Sequence, residues 1–154
     1  MKIINSGKKV SKQDILLIEK ELQVSFPEDY KEFLLIHNGG EPADEIGLSF
    51  LETDYETNEQ FEQEIDIQSF SMLEELPEFY ENLIGEVLPE DAGYISIACD
   101  SCGNDILLCV DNTNFGRVYF GDHDMLDPET DYLGLSLIAN SFTDFVNSLH
   151  PFED

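Results

Sequence analysis

Three short runs rich in β-formers, YISIAC (94–99), DILLCV (105–110) and RVYFG (117–121), lie close together, joined by DSCGN and DNTNFG. Both links are dense in Gly, Asn and Asp, which supply positive φ and bond to their own backbone, so each reads as a turn between paired strands. This spacing constrains the fold most, because it commits the last third of the chain to sheet. The stretch from Cys99 to His123 holds Cys102 and Cys109 as well, so it must also be tested as a metal or redox site.

Helices open the chain. In SKQDILLIEKELQV, Ser11 is a suitable N-cap with Asp14 three residues on, and Ile15, Ile18 and Leu22 recur at helical spacing. In FPEDYKEFLLIHNGG, Pro27 suits the first helical position, and Glu28 and Asp29 suit the positive end of the helix dipole. Tyr30, Phe33, Leu34 and His37 share one face, and Asn38-Gly39-Gly40 is expected to end the helix through a left-handed glycine. IGLSFL (46–51) and IDIQSF (65–70) are expected strands. Ser71-Met72-Leu73-Glu74 predicts a capped helix to about Leu83, shortened or kinked by Pro77. A last helix is expected over Asn140–Leu149, with Phe142, Phe145, Val146 and Leu149 on one face. The expectation is one α+β domain over residues 1–154, with its core at about 10–150. A mixed or antiparallel sheet is packed by an N-terminal helix pair, a middle helix and a C-terminal helix.

The cysteines do not repeat as zinc knuckles: Cys99-x-x-Cys102 has no second pair, and Cys109 falls inside a strand, where a free cysteine is a small hydrophobe. A thioredoxin-like motif would open a helix, whereas this one leads into a turn. Residues 111–116 begin like an EF-hand loop but carry Phe115 at the fifth place and Asp122 at the twelfth, between strands. The hairpin turn is the better reading, and weak calcium binding on the acidic surface is left open. Neither a nucleophile elbow, an HExxH motif, a P-loop nor a dinucleotide fingerprint is present. His37 lies near a helix end, His123 follows a strand and His150 ends the last expected helix. No cofactor and no enzyme is expected.

Charge carries the functional signal. Of 34 acids and seven bases, giving −27 net, all six lysines lie within the first 31 residues, and Arg117 is the single base thereafter. Such a surface repels nucleic acid and anionic lipid, and steers a basic protein toward it. No apolar run reaches the ~18 residues of a membrane span. The start lacks a secretory pattern and the cysteines are three, so the expectation is a reducing cytoplasm. Between Glu52 and Asp66 stand seven acids, no base and two aromatics. That mixture offers steering charge together with anchoring area. Glu52, Asp54, Tyr55, Glu56, Glu59, Phe61, Glu62 and Glu64, with Asp44 and Glu45 nearby, are therefore the candidate contacts for a basic partner.

Taken in order, three segments resemble the SUKH superfamily, bacterial immunity proteins related to a fungal regulator of cell-wall assembly. They are the helix pair with Phe26-Pro27, Tyr30, Phe33-Leu34 and Asn38-Gly39-Gly40; then IDIQSFSMLEEL; then the hairpins with Gly103-Asn104, Gly116, Val118-Tyr119-Phe120 and Asp122-His123. The resemblance implies an α+β fold in which Pro27, Tyr30, Gly39, Gly40, Gly103, Asn104 and Gly116 shape the frame and no residue is catalytic. It implies a protein that binds and neutralises a toxin domain, commonly a nuclease or deaminase, by covering its active face. The alternative is a regulatory scaffold without a toxin partner, as the fungal relatives suggest. The toxin's identity and the oligomeric state, monomer or homodimer, stay open.

Overall fold

The computed structural model describes residues 1–152. In chain order the elements are β1 (Ile3–Ile4), α1 (Lys12–Leu22), α2 (Glu28–Ile36), β2 (Glu41–Pro42), β3 (Ile46–Asp54), β4 (Glu59–Asp66) and β5 (Ser69–Phe70). A 3-10 turn (Leu73–Glu75) follows, then α3 (Leu76–Leu83), β6 (Tyr94–Cys99), β7 (Asp105–Cys109), β8 (Val118–Leu126), β9 (Leu133–Ala139), α4 (Phe142–Asn147) and β10 (His150–Pro151). This is an α+β fold.

The α1 helix starts as its sequence predicts. Ser11 Oγ accepts from Asp14 N, and the Asp14 carboxylate accepts from Ser11 N at 2.8 Å, a reciprocal cap of about 1 kcal/mol. Pro27 sits one residue outside α2, as its N-cap. Asp29 then joins two helices, its Oδ2 accepting from the N–H and hydroxyl of Thr143 at 2.9 Å.

The end of α2 differs from expectation. His37 caps it in extended conformation, and no left-handed glycine closes the last turn. Gly39 (φ 66°) and Gly40 (φ 114°) instead let backbones meet. A Cβ on Gly39 would lie 2.7 Å from Met72 N, and one on Gly40 2.6 Å from Ile4 O. Gly40 also exchanges both backbone bonds with Phe70. Asn38, 3% exposed, completes the junction by accepting from Leu73 N and donating to Lys8 O.

The middle helix is displaced by a residue. Glu75, not Glu74, accepts from Met72 N at 2.7 Å, while Ser71 turns inward and donates to Ser96 O. Pro77 lies in the first turn of α3, so it starts the helix instead of kinking it. The C-terminal helix is shorter than expected, and His150 begins β10 instead of ending that helix.

All pairings between strands are antiparallel, in the orders β5-β6-β7-β8-β9, β10-β3-β4 and β1-β2. One face of the five-stranded sheet carries Ile95, Ile106, Leu108, Val118 and Phe120, packed with Ile15, Tyr30, Leu34, Phe142 and Phe145 of the helices. The other face buries Leu107 and Leu133 under Leu83 and Leu88. Phe50 of β3 meets Phe120 of β8 at 5.1 Å between ring centroids, which ties the smaller sheet to the main core.

Candidate functional site

The acidic stretch is a β-hairpin. Glu52 faces Phe61 and Asp54 faces Glu59 across β3 and β4, with Tyr55–Asn58 as the connection. Three local bonds shape that turn: Asn58 N to Asp54 O at 2.7 Å, Glu56 N to Asp54 Oδ1, and Glu59 N to Thr57 Oγ1. Asn58 takes φ 63°, a left-handed conformation that asparagine tolerates better than most residues.

Side chains alternate between the two faces of this hairpin. Leu48, Phe50 and Ile65 point into the core. At the other end of the inward row Glu52 is only 2% exposed. Burial, together with the carboxylate of Asp122, pushes its carboxyl up to about 7, against a hydrogen bond from Gln63 Nε2 that favours the charged form. Glu52 therefore belongs to the interior and offers no surface to a partner.

Tyr55 is anchored too. Its hydroxyl donates to Leu135 O at 2.5 Å, and its ring lies where a Cβ on Gly134 would stand, 2.5 Å away. Thr53 N donates to Ser136 Oγ at 2.9 Å. These contacts set the edge of β3 against β9, so the hairpin extends the five-stranded sheet through side-chain bonds.

The remaining hairpin candidates are spread over both faces: Asp54, Glu59 and Phe61 share the face of Glu52, and Glu62 and Glu64 lie on the other face with Leu51. Asp44, Glu45, Glu56, Glu59, Glu62 and Glu64 are exposed, Asp54 is half-buried, and Phe61 retains 39% exposure. Two exposed leucines escaped the sequence reading: Leu51 on β3 and Leu137 on β9, 51% and 43% exposed. Leu51 faces Glu62 directly, so apolar area stands within the acids. The signal for Leu137 was the alternation in LGLSLIA, which marks β9.

The opening stretch resolves into turns. Asp100, 3% exposed, accepts from Cys102 N, Asn104 N and Asn104 Nδ2, and Gly103 takes φ 85°. Asn104 Oδ1 accepts from His123 N, pinning this turn to β8. Asp111 Oδ1 accepts from Thr113 N and Asn114 N, and Gly116 has φ 89°. Burial pushes the Cys109 thiol up to about 11 and raises that of Cys99 as well. Both stay protonated at neutral pH and are poor nucleophiles. Among the described residues no group of three or more His, Cys, Asp or Glu is arranged to hold a metal ion.

His123 Nε2 lies 2.5 Å from Asp105 Oδ2, and Ser96 Oγ donates to the other oxygen of that carboxylate. The hydrogen bond with Asp105 raises the histidine pKa. A groove of about 700 Å³ lies where α1 approaches the 110–115 turn. Two of its charged groups pair with each other: Lys31 reaches Glu19 at 3.5 Å, and Glu19 Oε2 also accepts from Phe26 N. No helix of the described residues is long and apolar enough to cross a membrane.

The family model of the SMI1 / KNR4 family (SUKH-1) matches residues 9–148. A stretch of 49 residues is 55% identical to the uncharacterized protein YnaB of Bacillus subtilis (strain 168). That match covers 32% of this chain and 34% of YnaB, about a third of the relative's length.

Proposed function

Because this chain belongs to the SMI1 / KNR4 family (SUKH-1), which includes toxin immunity proteins, we propose that it is a non-catalytic immunity protein. It binds a basic toxin domain, of the nuclease or deaminase kind, and occludes its active face. The observation that carries this reading is the β3–β4 hairpin, which projects Glu56, Glu59, Glu62 and Glu64 from a frame otherwise held by buried contacts. An enzyme that binds phosphate needs a cationic face, and an anionic surface with Leu51 beside Glu62 and Glu64 complements it.

The mode is steric and electrostatic. Long-range attraction raises the encounter rate, and Leu51 on the face of Glu62 and Glu64, with Phe61 on the opposite face of the same edge, supplies desolvated contact. Asp44 and Glu45, exposed before β3, extend the negative field. Glu52 and Tyr55 hold the hairpin in place from within.

Co-expression with the C-terminal domain encoded by the neighbouring gene tests the reading, with growth as the readout. Protection is expected from the unaltered chain. It is expected to disappear when Glu56, Glu59, Glu62 and Glu64 are all changed to lysine while circular dichroism shows the fold intact. Undiminished protection by that folded variant would place recognition on another surface.

A further inference from the structure

β4 is the end strand of its sheet, and its outer edge is open. Register and hydrogen bonding settle which backbone groups face outward. On β3, Thr53 N donates to Ser136 on β9 and Gly47 pairs with His150 on β10, both on the side away from β4. Alternation then directs Leu48, Phe50 and Glu52 toward β4, where they face Ile65, Gln63 and Phe61. The backbone N–H and C=O groups of Gln60, Glu62 and Glu64 point the other way. Glu64 N confirms the direction, since its partner is the side chain of Gln63.

Other sheet ends among the described residues are short or covered. β5 has two residues and bonds to Gly40, β9 is flanked by β3, and β10 has two residues. Asp66 closes the far end of β4 by accepting from Ser101 N and Oγ. The open run is therefore 60–64. A long bare edge invites association with another copy unless charge prevents it. Here Glu59, Glu62 and Glu64 of one copy would meet acids of the next, and the chain carries −27.

We propose that the β4 edge receives an extended, lysine- or arginine-bearing segment of the partner as an added antiparallel strand. The main chain of 60–64 supplies its hydrogen bonds, and the flanking glutamates select its charge. The same acids that keep two copies apart favour a basic strand. This deepens the immunity reading, on which the partner's basic character rests, and its test needs no toxin.

The probe is a blocked nine-residue peptide alternating lysine and valine, with a control N-methylated at alternate backbone amides. Titration followed by backbone NMR and amide exchange is expected to show slowed exchange at Gln60 and Glu62. Glu62→Pro removes only an outward N–H and is expected to weaken binding about tenfold, whereas Glu62→Gln weakens it about two- to threefold. The N-methylated control keeps the charge, needs no variant to fold, and is expected not to bind. Equal binding of both peptides, or slowed exchange confined to other surfaces, would overturn the edge proposal and leave the immunity reading standing. A sedimentation dimer of the free chain that Glu62→Pro disperses would also overturn it, by making a second copy the occupant.

Discussion

At the scale of single residues, Tyr30 is buried to 1% between the rings of Phe26 and Phe142, at 5.7 and 5.1 Å. Its hydroxyl is the one buried side-chain polar atom among the described residues without a hydrogen-bond partner. Burial pushes the phenol pKa up. Tyr30→Phe removes that unsatisfied group and keeps the ring, so urea denaturation is expected to show a gain of about 1 kcal/mol. Glu52 makes a second prediction. Its folded-state value, about 7, lies above the ordinary 4.5. Its contribution is therefore full below pH 4.5 and is lost as pH rises through 7. His123, raised by Asp105, adds loss of the same sign above its ordinary 6.5. Melting temperature is expected to fall between pH 5.5 and 8.5. Glu52→Gln should flatten that slope and add on the order of 1–3 kcal/mol at pH 8.

At the scale of elements, the joint between β3 and β9 decides how the hairpin is held. Tyr55→Phe deletes the bond to Leu135 O while leaving the ring against Gly134. The expected loss is about 1 kcal/mol, with faster amide exchange at the tip of the hairpin as the local check. α1, α2 and the strands β6, β7 and β8 were legible because caps, period and turn residues agreed locally. β3 was legible over its apolar half, residues 46–51, whereas its pairing with β4 was not. In EQFEQEID only Ile65 is fully buried, and the acids that hide the strand pattern are among the proposed contact residues. β9 had a readable alternation in Leu133, Leu135 and Leu137 that was overlooked. β1, β2 and β10 have two residues each, too few for any period to show, and exist because tertiary contacts align them. Of the ten contact candidates, burial withdraws Glu52 and anchoring restricts Tyr55. No one-dimensional signal separated these two from their exposed neighbours.

On the scale of the whole molecule, the charge is divided unevenly: the lysines belong to the first 31 residues, and the hairpin has none. Association with a cationic partner is expected to slow steeply as salt rises from about 20 to 200 mM, over which the Debye length shrinks from some 20 Å to under 10 Å. Dissociation should change far less, and stopped-flow rates across that range separate the two. The hairpin is fastened at its root by Phe50, at its flank by Thr53 and Tyr55, and nowhere along 59–64. Sequence drift in that free rim costs the core almost nothing. On the immunity reading proposed above, a lineage can thus rewrite its choice of opponent by substitutions that folding does not penalise, and the frame can persist while its adversaries change.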